Sequence, residues 1–218
     1  MNTLLVVGSA PCLYQDMAKA LSLRPFASIM LVNGACTAVE NVEHVLAGHE
    51  EKAEFFARER KARFPNAPPW KLHACCHKHR VGQYREMFPS VTDWHPHEVG
   101  VGATSASKAA KLGFILGFDE VILCGCPMDQ PGYFEGEAKV PHHSACMRIG
   151  DHGMVQNFGG RSVVLGGDGK PQRVQDTRII KGYREKLKQL AAGEFKNRVY
   201  SMSGFTREQL GPPPLRGN

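Results

Sequence analysis

A chain of 218 residues, 42% of them hydrophobic and 22% charged, can bury a core without covalent staples and is not built like a disordered polypeptide. The formal charge of +6 favours anionic partners, but the basic residues are spread over 50–63, 71–85 and 173–198 without the aromatic interleaving of a single-strand nucleic-acid binder. No apolar run approaches the roughly 20 residues of a membrane span. The opening lacks a basic leader and a cleavage site, and seven cysteines at irregular spacing fit reduced thiols in the cytoplasm better than a disulfide framework.

In chain order, Thr3 to Val7 is a compact β-rich run closed by "GSAP", and Asp16 to Leu23 follows as a helix. Ser28 to Ala35, "SIMLVNGA", repeats the form: an apolar run too short for a helix, ended by Asn33 and Gly34, hence a second parallel strand. Val42 to His49 reads as a third short strand. Glu50 to Arg63 reads as a charged helix with Phe55, Phe56 and Ala62 on its apolar side, stopped by "FPNAPP". "WKLHACC" and "SVTDWHPH" are strand pieces separated by the basic segment His77 to Met87. Ser105 to Gly117 is a helix with Ala106, Ala109, Ala110, Leu112, Phe114 and Ile115 on one face and Gly117 as its stop; Glu120 to Cys124 is the strand after it. Gly125 to Lys170, rich in Gly, Pro and His, reads as a long loop of the lid or binding kind. Thr177 to Ala192 is a helix, Arg198 to Met202 a last strand, and 211–218 a Pro-rich tail behind a single domain spanning 1–210.

Strands and helices in alternation, with strands apolar almost throughout, imply an α/β fold: a mostly parallel sheet with helices on both faces. Ligands of such sheets sit outside the carboxyl ends of the strands. That rule places Gly8 to Pro11, Asn33 to Ala35, His49 and Gly125 to Asp129 on one rim.

The rim motifs leave alternatives open. "GSAPC" is no G-x-G-x-x-G, which argues against NAD; it retains a glycine for a tight turn and amides ahead of a helix, where an anion is favoured. Thr104 and Ser105 either cap the helix that follows or receive a phosphate there. Asn33 either satisfies a turn or bonds a base or ribose. Asp129 is a base, a metal ligand or the acid that opens a turn. "HACCHKH" and the group Cys124, Cys126, His142, His143 and Cys146 lack the paired spacing of a zinc site, so no metal site is expected. His142 and His143 are either exposed lid residues or supply a general acid or base.

Several of these segments resemble one superfamily, that of bacterial lipooligosaccharide sialyltransferases, motility-associated flagellin glycosyltransferases and hydroxymethylpterin pyrophosphokinase-like proteins. "LLVVGSAPCL" is similar to their first strand and G-x-G-P-S-L turn, "MLVNGA" to their second strand ending in Asn. "GATSASKAAKLGFILGFDEVILCGCPMD" is similar to their T-S-G, helix and L-G-[YF]-x-E-[IV]-x-L-x-G segment, and "YREKLKQLAAGEFKNRVYSMS" to their closing helix and strand. The resemblance implies a Rossmann-like domain and a transferase with a nucleotide-activated donor, a sialyltransferase-like glycosyltransferase with no obligatory cofactor or metal. Two alternatives accompany it: a Mg-dependent pyrophosphokinase-like enzyme, and a non-catalytic nucleotide-binding or assembly module. By position, Gly8, Ser9 and Ala10 would meet the phosphate side of the donor, Asn33 and Gly34 the nucleoside, and Thr104 and Ser105, with Ala106, the nucleotide. Ala10 stands where the family has its second glycine, Cys12 its serine and Ala106 the glycine of T-S-G. No histidine occupies Val174 to Arg178, where the family carries its base. The expectation is therefore a base from the long loop, His143 or His142 ahead of His152, or else Asp176. The acceptor and any self-association stay open.

Overall fold

The computed structural model describes residues 1–76, 81–96, 104–129, 149–150, 153–158, 161–165, 171–173 and 178–215. The elements run β1 (Thr3–Val7), α1 (Leu13–Leu23), β2 (Ser28–Val32), a 3-10 turn (Asn33–Thr37), β3 (His44–Ala47), a second 3-10 turn (Glu50–Lys52) and α2 (Ala53–Arg63). Next come β4 (Lys71–Cys76), α3 (Val81–Met87), β5 (Asp93–Pro96), α4 (Ser105–Ile115) and β6 (Glu120–Cys124). The chain continues with β7 (Ile149–Gly150), β8 (Gly153–Phe158), β9 (Arg161–Leu165), β10 (Pro171–Arg173), α5 (Arg178–Ala192), β11 (Val199–Ser201) and α6 (Gly204–Leu210).

Seven strands make one sheet in the order β11-β6-β1-β2-β3-β4-β5, with every neighbouring pair parallel. The central strands are buried on both sides because their side chains alternate between two cores. Leu5 and Val7 join Leu13, Met17 and Ala20 of α1 and Phe56 and Ala57 of α2 on one face. Leu4 and Val6 join Ala109, Ala110 and Leu112 of α4 and Leu190 of α5 on the other. This is the expected Rossmann-like layering. The chain walks outward from β1 to β5, then returns to lay β6 on the free side of β1, so the order reverses between β1 and β6 and a crevice opens at their carboxyl ends. A separate antiparallel set, β10-β9-β8-β7, lies later in the chain. Among the described residues no helix is long and apolar enough to cross a membrane.

Five readings of the sequence change. The first helix starts at Leu13 rather than Asp16, since Leu13 supplies its first inward side chain. A further helix, α3, occupies part of the segment read only as basic. The stretch 125–170, read as a loop, contains β7, β8 and β9, paired antiparallel with one another. On α2, Ala62 is exposed and the buried face is Ala53, Phe56, Ala57 and Arg60. Arg60 escapes a hydrophobicity pattern because its two terminal guanidinium nitrogens bond internally, to the carbonyls of Cys36 (2.7 Å), Val39 (2.8 Å) and Glu40 (2.6 Å), between the rings of Phe64 and Trp70. Likewise Ile115 on α4 is exposed, and Ser107 and Gly113 are on the inner face. Gly117, at φ 91°, follows α4 as its stop.

Candidate functional site

At the crevice, the loops leaving β1 and β6 interlock. Gly8 N donates to Cys124 O (2.8 Å) and Ala10 N to Gly125 O (3.1 Å). A side chain on Gly8 would put its Cβ 2.5 Å from Cys126 Sγ and 2.6 Å from Gly125 O, and one on Gly125 would meet Gly8 O at 2.6 Å. Gly125 also has φ 63°, where a Cβ is strained. Gly8 and Ala10 are buried, Ser9 half-buried and Pro11 exposed.

Beneath this turn sits Asp16, 2% exposed. Its Oδ2 accepts from Gly125 N (2.9 Å) and Ser203 Oγ (2.6 Å), with Cys12 Sγ 3.5 Å away. One carboxylate thereby ties α1, the exit of β6 and the residue before α6. Burial pushes the Cys12 thiol up to about 11, with the Asp16 charge adding, and burial pushes Cys126 to about 12. Both remain protonated near neutral pH and are poor nucleophiles.

The second part of the rim joins β2, β3 and α4. Asn33 adopts φ 52°, the left-handed conformation that asparagine tolerates better than most residues. Its Oδ1 accepts from Gly48 N (2.7 Å) and its Nδ2 donates to Ser105 Oγ (3.0 Å). Lys108 Nζ donates to Gly48 O (2.9 Å). Gly48 is hemmed in: a Cβ there would collide with Ser105 Oγ and lie 3.1 Å from Asn33 Oδ1. Gly34, next to Asn33, is buried and its carbonyl accepts from Thr37 Oγ1 (3.2 Å). Thr104 is the N-cap of α4, accepting from Ser107 N (3.2 Å), which leaves Ser105 as the hydroxyl turned toward the Asn33 bracket.

The third part is the loop after β6. Asp129 Oδ2 accepts from Phe205 N (3.1 Å) at the start of α6, Thr206 Oγ1 donates to Cys126 O (2.8 Å), and Arg184 lies over the Phe205 ring at 4.9 Å. Gly204, at φ 61°, packs so tightly against Pro127 and Asp129 that no Cβ fits.

The structure thus brings Gly8, Ser9, Ala10, Asn33, Gly34, Thr104, Ser105 and Asp129 to the carboxyl side of one sheet. His142, His143, His152 and Asp176 lie outside the described residues. Sequence reasoning missed Asp16, Gly48 and Lys108. Asp16 carried a signal: Leu13, Asp16, Met17 and Ala20, at i, i+3, i+4 and i+7, are the buried positions of α1, and a carboxylate in such a stripe has to be paired with something. Lys108 stands three residues after Ser105, on the same side of the helix. The first His/Cys cluster read from the sequence, "HACCHKH", splits: Cys75 and Cys76 are core residues and His73 is fully buried. Among the described residues no group of three or more His, Cys, Asp or Glu is placed to hold a metal ion.

No family model matches the sequence, and no curated protein sequence matches it significantly. Solved structures do share the fold. The monofunctional alpha-2,3-sialyltransferase Cst-I of Campylobacter jejuni superposes with a TM-score of 0.57 at 12% identity, over 100% of this chain and 82% of that one. The sialyltransferase CstII of the same organism, in complex with the substrate analogue CMP-3FNeuAc, gives 0.56 at 11% identity over 99% of this chain and 87% of its own. CstII with cytidine-5'-monophosphate gives 0.52 at 12% identity. At these identities the likeness is one of fold, and it places this chain's architecture beside that of sialyltransferases.

Proposed function

We propose that the protein is a transferase acting on a nucleotide-activated donor, a glycosyltransferase of the sialyltransferase kind that needs no cofactor. The observation that carries this reading is the rim itself. At the reversal of strand order, where open parallel sheets take their ligands, a glycine-lined turn, a left-handed asparagine and a helix opening with Thr104 and Ser105 lie on one side of the sheet. The likeness in fold to proteins crystallised with a cytidine nucleotide and with a CMP-sugar analogue supports cytidine as the nucleoside. In this reading Gly8, Ser9 and Ala10 face the donor phosphate, Asn33 and Gly34 shape the nucleoside side, and Thr104 and Ser105 close the nucleotide from the helix end.

Transfer from such a donor needs a leaving phosphate stabilised and an acceptor hydroxyl deprotonated. The first falls to the positive end of α4 and to Lys108 nearby. The second falls to a base, for which His143 or His142 is the proposal, imidazole being the side chain that titrates near neutral pH. Asp129, holding Phe205 N, fixes the loop they follow.

A nucleotide screen by thermal melting tests the reading. Saturation at about 100 times the dissociation constant adds roughly 2.7 kcal/mol, a rise of about 5–10 °C for a chain of this size. Cytidine or uridine nucleotides should produce it. Stabilisation by NAD with no response to either would overturn the proposal, and nucleotide binding without turnover of any donor would favour a binding module.

A further inference from the structure

Away from the rim, three imidazoles form a row across β3, β4 and β5. His44 Nδ1 lies 3.0 Å from His73 Nε2, and His73 Nδ1 lies 3.0 Å from His95 Nε2. The ring centroids are 5.1 and 5.2 Å apart. The register explains the row: His73 pairs with Leu46, two residues after His44, and His95 pairs with Cys75, two residues after His73. The side chains therefore share one face of the sheet and meet along a diagonal.

The rings face each other in pairs rather than a common centre, an arrangement suited to protons and not to a metal ion. A neutral imidazole has one N–H and one lone pair. His73 uses both its nitrogens, so the neutral row is ordered head to tail, each ring donating to the next. One added proton is accommodated without loss: a doubly protonated His73 donates both ways and each 3.0 Å contact still holds a single proton. A second added proton has nowhere to go, because one contact must then oppose two N–H groups.

We propose that the row His44–His73–His95 is a pH-operated latch on the edge of the sheet, closed with up to one added proton and opened by a second, which releases β5. The edge is suited to this. The strand β5 has four residues, pairs among the described residues only with β4, and is nowhere fully buried. Among the described residues the charged groups around the row are Glu43, just before β3, Lys71 on β4 and Asp93 on β5, whose Oδ2 is 3.8 Å from His73 Nδ1 and 3.7 Å from Lys71 Nζ; the ring of Phe118, before β6, covers His44 edge-on.

Burial lowers the proton affinity of all three rings. His73 falls to about 3, with His44 and His95 adding to the effect and Asp93 opposing it; His44 and His95 fall by burial against the pull of Glu43 and Asp93. In the unfolded chain each ring titrates near about 6.5. The sign follows: the latch contributes fully above that pH, and its contribution is lost as pH falls toward about 3, because the open state binds more protons.

Hydrogen exchange of the full-length protein, read by peptide and corrected for intrinsic rates, tests the proposal. Between pH 7 and about pH 4.5, inside the window set by the two proton affinities, β5 should lose protection while β1 and β6 keep theirs. His95→Gln and His44→Gln each remove one proton acceptor and retain a polar amide, so the loss should move to lower pH. Protection of β5 that persists in the wild type at the lower pH overturns the latch. So does loss at the same pH in the wild type and both variants, or loss that occurs only together with that of β1 and β6.

Discussion

Arg60→Ala should be among the most damaging single substitutions in the described core. The guanidinium is wholly buried and bonds three carbonyls, Cys36 O, Val39 O and Glu40 O, at 2.6–2.8 Å. Hydrogen bonds from a charged donor contribute about 1.5–3 kcal/mol each. Part of that sum is offset by the rehydration the charge forgoes on folding, so the expected net loss is about 3–5 kcal/mol, chiefly from buried carbonyls left without a donor. In a chain of this length 1 kcal/mol corresponds to about 2–4 °C, so the midpoint should drop by about 6–20 °C. Urea titration and thermal melting measure it. The lysine variant keeps a charge but loses the planar fork that reaches several carbonyls at once, so it should fall between the two. One clamped carbonyl, Cys36 O, lies within the Asn33–Thr37 turn and the other two follow it; if the rim is the donor site, nucleotide binding should weaken in parallel. An alanine variant melting within about 2 °C of the wild type would refute the reasoning, since the three carbonyls would then be satisfied without the clamp.

Asn33→Ala removes the acceptor of Gly48 N and the donor to Ser105 and places a less tolerant residue at φ 52°; a loss of about 1–3 kcal/mol in urea titrations is expected. If the rim is the donor site, this variant should also lose the nucleotide-induced rise in melting temperature. His142→Ala and His143→Ala should bind nucleotide as the wild type does, while one of them loses about 10²–10⁴-fold in donor turnover, measured as transfer or as slow hydrolysis. Full turnover in both, with inactivity of Asp176→Ala, would move the base to the segment before α5.

How much was legible depended on whether a residue's role was local. The strands Thr3–Val7 and Glu120–Cys124 were readable to the residue, because a short apolar run between turn formers has few other uses. Asn33 and the pair Thr104–Ser105 were readable as element ends, and so as rim residues. The bond between Asn33 and Ser105 was not, since it joins positions 72 residues apart. Gly48 looked like an ordinary residue within "LAGH"; only the approach of Ser105 from another element makes its missing side chain necessary. Arg60 and Asp16 were overlooked for a shared reason. Each occupies an inward helical position, where an apolar residue is the usual expectation, and the carbonyls or amides that satisfy it come from distant loops. The histidine row failed differently. "HACCHKH" drew attention to neighbours in sequence, while the partners of His73 are His44 and His95, on other strands.

The pairing of β1 with β6 carries a consequence for how the protein comes to exist. Thr3 lies opposite Glu120, 117 positions later in the chain, and closing a loop of that size costs about 4 kcal/mol of chain entropy beyond a constant term. Strands β1 to β5 can associate as they leave the ribosome, each against its predecessor. The sixth cannot, and until it is synthesised β1 presents an open edge, apolar but for Thr3, of the kind that invites aggregation. The same closure assembles the crevice, since Gly8 and Gly125 meet only then. A nascent chain shorter than about 125 residues should therefore be both sticky and incapable of binding at the rim, and the two properties should change together at a single chain length when arrested chains of increasing size are compared.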